Sequence, residues 1–340
     1  MACRTSRVDL PKFPLKIPHM DDSGIFPFLA QKAATGARTA LVTITGVSGS
    51  SVRNPGAHLA VAEDGSWRGS LSGGCIEAAV VADAVDAIAA GHPREIRFGA
   101  GSPYLDIRLP CGGSVDVLIN PVADAAPIAR IAALLADRTP ALLTLPLEGG
   151  AITVEAGMAP WRTRREPAHF TVAHLPPLAL TVIGHGASVE ALAALAVTAD
   201  ARVTAMTPDR AIADRLAAAG IPAALLNTPR APVDLTADPW TAIAFLFHDH
   251  DWETALIARA LAGRAFYVGA MGSRATQRHR AEALAGAGVP ADDIARLHAP
   301  IGLIPSSRDP QVLALSTLAE IVRDFERVTA REDVVVESAT

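Results

Sequence analysis

The chain reads as an α/β protein in two parts. An N-terminal α+β domain is followed by a C-terminal Rossmann-like domain with a doubly wound parallel sheet. Three observations predict this. The 340 residues exceed one typical core and suit two domains of roughly 100–200 residues each. From residue 176 onward, continuous apolar strands alternate with alanine-rich helices, a pattern that requires a parallel sheet covered on both faces. Before that point, short strands and helices are interrupted by glycine-rich loops.

Residues 1–20 are basic and contain proline, and they read as a flexible tail. They lack the apolar stretch of roughly 7–15 residues that a secretory signal needs. The N-terminal domain spans 21–122. It opens with a helix over 25–35, a strand over 40–45, the loop GVSGSSVRNPG and a second strand over 58–62. A turn at 63–65 leads through Trp67 to the loop GSLSGGC. A helix over 76–90 follows and is stopped by Gly91. Short strands are expected over 95–98, 106–109 and 115–119. The segment 123–175 reads as a linker with short strands (141–145, 151–154, 170–174) after a helix over 127–136. The Rossmann-like domain spans 176–330. Its strands are ALTVIG, ARVTAM, TAIAFLF and AFYVGA, and helices lie between them. Residues 331–340 form a second tail.

Composition excludes several classes. Half the residues are hydrophobic and 19% are charged, so the chain is globular. A net charge of −5 argues against nucleic-acid binding. No apolar run reaches the roughly 20 residues that span a bilayer. Three cysteines, Cys3, Cys75 and Cys111, are too few and too odd in number for a disulfide framework. A reducing, cytoplasmic location is the default reading.

Five stretches could carry chemistry. In GSLSGGCIE, Ser72, Gly73, Gly74 and Cys75 precede a helix whose N-terminus favours anions and thiolates. The competing reading is a small buried cysteine under a tight turn. In LPCGGSVDV, Cys111 precedes Gly112 and Gly113, again on a loop or in a buried β-turn. A disulfide between Cys75 and Cys111 is left open, whereas zinc spacing is missing. In VIGHGASVEAL, Gly184 makes a tight turn and Gly186 admits a phosphate to a helix N-terminus. Val189 stands where the dinucleotide fingerprint has its third glycine, and Asp209 stands near the place of its ribose-binding acid. That argues against NAD(P) and for another phosphorylated ligand. In FHDHDWE, His248, Asp249, His250 and Asp251 could serve as hydrogen-bonding, proton-transfer or metal groups, with His248 favoured, while Asp249 or Asp251 could simply cap the next helix. In YVGAMGSRATQRHR, Gly272, Ser273 and Arg274 could hold a phosphate. His279 and Arg280 read as a solvated basic face.

The ordered set SGGCIE, CGGSVDVLINP, G-x-G, HDHDWE, YVGAMGSR and PIGL…AEIV resembles XdhC/CoxI-type proteins over residues 25–325. The resemblance implies an accessory chaperone without turnover of its own, serving xanthine dehydrogenase-type molybdenum hydroxylases. Such proteins bind the molybdenum cofactor, a molybdopterin in plain or nucleotide form. They protect it while a cysteine desulfurase installs its terminal sulfur, then insert it into the apo-enzyme. They are commonly homodimers. By this resemblance Cys75 and Cys111 match the family's cysteine loops. Gly184, Gly186, His248 and the Gly272–Arg274 turn match its Rossmann-side motifs. Two departures stand out: Ile304, Pro305 and Ser306 replace the usual D-I-G, and GHGAS replaces GAGHV. An NAD(P)-dependent oxidoreductase and a cysteine-persulfide sulfurtransferase are the alternatives.

Overall fold

The structure, a computed structural model, describes residues 24–49, 51, 53–102, 112–157, 163–228, 235, 237–247 and 252–329. The chain divides into two compact units. The first runs to Ala125 and includes 147–149, and the second holds the rest.

The first unit contains α1 (Ile25–Ala34), β1 (Thr39–Ser48), β2 (His58–Ala62), β3 (Trp67–Gly69), α2 (Glu77–Ala90), β4 (Arg94–Gly99) and β5 (Ser114–Pro121). The strands form one antiparallel sheet in the order β3-β2-β1-β5-β4. β1 is buried along eight residues because both its faces are covered. On one face, Ala40, Val42 and Ile44 pack with Val80, Ala84 and Ile88 of α2. Each large aliphatic side chain buried there contributes about 1.5–3 kcal/mol. α1 covers the other face, with the Phe26 ring 5.7 Å from that of His58. α2 ends, as the sequence predicts, at Gly91, whose φ of 73° suits glycine. The strand expected over 106–109 lies outside the described residues.

The register places the glycine-rich loops together. Ser48 pairs with Ser114, Gly99 with Ser114, Thr43 with His58 and Leu59 with Gly69. The exits of β1, β3 and β4 and the entries to β2 and β5 therefore share one end of the sheet. Approach is close there: a Cβ on Gly49 (φ 77°) would meet the Gly113 Cα at 3.1 Å.

The second unit begins with α3 (Ala126–Ala136) and a small antiparallel sheet. Its strands are β6 (Ala141–Pro146), β7 (Thr153–Ala156), β8 (Arg164–Arg165) and β9 (His169–His174), in the order β7-β6-β9-β8. The segment read as a linker thus has a sheet of its own. Arg138 ties it to the following layer, donating to Asp238 Oδ1 at 2.9 Å and to the Pro177 carbonyl at 2.9 Å.

The Rossmann layer follows: β10 (Ala179–Gly184), α4 (Ala187–Thr198), β11 (Arg202–Thr207), α5 (Arg210–Ala218), β12 (Ala223–Leu225), β13 (Thr241–Leu246), α6 (Thr254–Leu261), β14 (Tyr267–Ala270), α7 (Arg274–Gly286), α8 (Ala291–Ala295), β15 (Leu297–His298) and α9 (Pro310–Thr329). All six strands are parallel, in the order β12-β11-β10-β13-β14-β15. α4, α5 and α9 pack on one face around Val182, Ala205 and Ala244. α6 and α7 pack on the other, around Ile183, Ile243 and Phe245. The doubly wound domain expected from the alternating pattern is therefore present. β12 was not legible because three residues are too short to show a period. No described helix is long and apolar enough to cross a membrane.

Candidate functional site

The loop between β3 and α2 is organised by the Glu77 side chain. Its Oε1 accepts from Ser70 Oγ (2.9 Å), Leu71 N (3.0 Å) and Ser72 N (2.9 Å). Its Oε2 accepts from Ser72 Oγ (2.6 Å), Gly74 N (2.9 Å) and Ile76 N (3.2 Å). Leu71 and Ile76 anchor the loop in the core. Burial alone would push the Glu77 carboxyl up. Hydrogen bonds from Ser72, and then from Ser70 and Leu71, outweigh it and bring the carboxyl down to about 2. The amides that the sequence offers as an anion cradle are thus already partnered within the loop, Ser72 and Gly74 by the Glu77 carboxylate and Gly73 and Cys75 by the Ser70 and Ser72 hydroxyls. No local signal marks Glu77, since its donors depend on the loop folding back.

Cys75 sits at the outside of this loop, exposed, and is a free thiol among the described residues. Its N–H donates to Ser72 Oγ at 2.9 Å. The reading of a small cysteine buried under a turn is therefore corrected. Two glycines with positive φ, Gly73 at 76° and Gly74 at 113°, turn the chain outward before it. Cys111 lies outside the described residues. Gly112 and Gly113, which follow it, lead into β5 at the same end of the sheet from which the Cys75 loop leaves β3. Topology thus brings the exit of β3, from which the Cys75 loop leaves, and Gly112–Gly113 before β5 to one end of one sheet.

The second group lies at the carboxyl end of the Rossmann sheet. Strand order reverses between β10 and β13, and ligands bind at such a point. A Cβ on Gly184 would collide with the Leu246 carbonyl of β13, so this position requires glycine. Gly186 (φ 83°) caps α4 with open space beside it. Val189 is fully buried against the sheet, filling the place where the dinucleotide fingerprint needs a glycine. Asp209 Oδ1 accepts from Ala211 N (2.8 Å) and Ile212 N (3.2 Å), so the residue caps α5.

Next to β13, the loop after β14 carries Gly272, Ser273 and Arg274. Ser273 caps α7 by accepting from Thr276 N at 3.1 Å, and Arg274 is exposed at the first turn. His248, Asp249, His250 and Asp251 lie outside the described residues. Arg280 departs from expectation: it is 4% exposed and paired with Glu253, not solvated. The helix face that carries it points inward. The neighbouring PIGL loop is pinned where Glu320 Oε2 accepts from Tyr267 Oη (2.6 Å) and Gly302 N (2.7 Å). Among the described residues no cluster of histidine, cysteine and carboxylate side chains could hold a metal ion.

Residues 33–99 match the XdhC and CoxI family, and residues 180–321 match the XdhC Rossmann domain. The chain is 31% identical over 301 residues, 88% of each sequence, to the molybdenum cofactor insertion chaperone PaoD of Escherichia coli (strain K12). Its fold is similar to that of a solved Bacillus halodurans protein described as a xanthine dehydrogenase. The TM-score is 0.70 at 21% identity, covering 92% of this chain and 98% of that one.

Proposed function

This chain belongs to the XdhC and CoxI family, and on that basis we propose that it binds the molybdenum cofactor and delivers it to an apo-enzyme. The relative named as a molybdenum cofactor insertion chaperone supports the cargo. The observation that carries the reading is the exposed Cys75, held out on a loop that Glu77 fastens from beneath. A soft thiol suits a molybdenum dithiolene or its terminal sulfur. The glycine turn at Gly184–Gly186 and the Gly272–Arg274 turn suit the phosphate of a pterin, with or without a nucleotide.

In this reading Cys75 and Cys111 guard the metal end of the cargo while a cysteine desulfurase supplies sulfur. Ser72, Gly73, Gly74, Gly112 and Gly113 shape the loops. Within the second unit, Gly184, Gly186, His248, Gly272, Ser273 and Arg274 are the candidates for holding a phosphorylated ligand. The receiving partner is a xanthine dehydrogenase-type apo-enzyme, and the chaperone acts as a cytoplasmic homodimer. Exposure of Cys75 also favours a second reading, a persulfide carrier. Mass spectrometry after incubation with a persulfide donor separates the two, since transfer of the donor's outer sulfur to the Cys75 thiolate, with the donor leaving as a thiolate, adds one sulfur to Cys75. The main reading is tested by reconstituting a purified apo-hydroxylase with free cofactor, with and without the chain. Faster recovery with the chain supports delivery, and equal recovery contradicts it.

A further inference from the structure

One buried guanidinium joins the start of α6 to the loop after β14 at the carboxyl end of the Rossmann sheet. The Arg280 side chain is 2% exposed, as is that of Glu253. Arg280 Nη2 donates to Glu253 Oε2 at 2.8 Å and to the Met271 carbonyl at 2.8 Å. Its Nε donates to the same Glu253 oxygen at 3.1 Å, and Nη1 to Gln277 Oε1 at 3.1 Å. Glu253 is the N-terminal cap residue of α6. Met271 opens the loop that leaves β14 and is followed by Gly272, Ser273 and Arg274. The turn wraps onto this group, since a Cβ on Gly272 would press on Thr276 and lie 3.5 Å from Arg280 Nη2.

Stability alone does not account for an ion pair this deep. Well-packed apolar residues of similar volume are often as stable or more so, because two charges must be stripped of water. An apolar pair cannot, however, hold these two segments at hydrogen-bond precision. A planar guanidinium with several donors can.

We propose that Arg280 is a positioning residue, which with Glu253 sets the Gly272–Arg274 turn against the N-terminus of α6 and so fixes the geometry offered to the cargo phosphate. The inference rests on the cofactor reading above. It extends that reading to a buried residue that need not touch the cargo.

The test pairs Arg280→Met with Glu253→Leu in the full chain, so that neither charge is left buried alone. The double variant is expected to melt close to the parent. The amides of Met271, Thr276 and Gln277, which are hydrogen-bonded on either side of the turn, should exchange with solvent at least about tenfold faster, while those inside α4 and α9 keep the parent rate. Binding of molybdenum cofactor released anaerobically from another molybdoenzyme should weaken by at least about tenfold. Arg280→Lys is the second variant. Lysine keeps a charge beside Glu253 but lacks the fork that also reaches Met271, so the same faster exchange is expected. A folded double variant with parental exchange and parental binding would overturn the role given to Arg280. A parent that fails to bind the cofactor at all would instead overturn the cofactor reading, and the exchange data would still report whether Arg280 sets the turn.

Discussion

Glu77 grips the backbone on both sides of Cys75, accepting from Gly74 N at 2.9 Å and Ile76 N at 3.2 Å, while the thiol itself stays exposed. The carboxylate holds the loop and leaves the sulfur outside. Structure and chemistry are thereby assigned to different residues, and substitutions can separate them.

Cys75→Ser should leave stability within about 0.5 kcal/mol of the parent, because an exposed side chain of similar size loses little packing. Apo-hydroxylase reconstitution should drop sharply. Thermal melting and the reconstitution assay on one preparation check this. A lowered melting temperature with unchanged reconstitution per folded molecule would return Cys75 to a structural part.

Glu77→Gln should cost stability at neutral pH and flatten its acid dependence. The folded carboxyl lies near 2, below its ordinary value of 4.5. Its contribution is therefore fully present above about pH 4.5 and is lost as pH falls through about 2. Denaturant melts from pH 2 to 7 should show the difference between parent and variant shrinking as pH falls. A constant difference would mean that Glu77 titrates normally.

Arg274→Ala should weaken cofactor binding by about 1.5–3 kcal/mol, the range for a charge-assisted hydrogen bond. Stability should hardly change, since Arg274 is exposed. Titration of parent and variant decides it, and equal dissociation constants would make Arg274 part of the solvated face.

Asp209→Ala should cost about 1 kcal/mol as a lost helix cap, while Asp209→Asn should be nearly neutral because asparagine caps as well. Cofactor binding should be unchanged in both. A binding defect in the asparagine variant at full stability would restore the ligand role to Asp209.

The sequence made the Rossmann layer legible because its signals are local. Apolar strands such as Thr241–Leu246 repeat between helices, and Gly184 and Gly186 sit in a strand–turn–helix junction. What it concealed depends on distant partners. Arg280 lies six residues beyond Arg274, about 120° around α7. A charge there reads as surface until its partner Glu253, 27 residues earlier, is brought against it. The donors of Glu77 likewise converge only once the Ser70–Ile76 loop has closed. The exposure of Cys75 was undecidable for the same reason: glycines allow a loop to turn either way.

The most direct measurement is anaerobic gel filtration of the purified chain after incubation with molybdenum cofactor released from an unrelated molybdoenzyme, with pterin and molybdenum assayed across the peak. The account predicts that both co-elute with the chain in stoichiometric amount, and that Cys75→Ser loses most of the molybdenum. A peak free of pterin and molybdenum, or one that retains NAD instead, would contradict it.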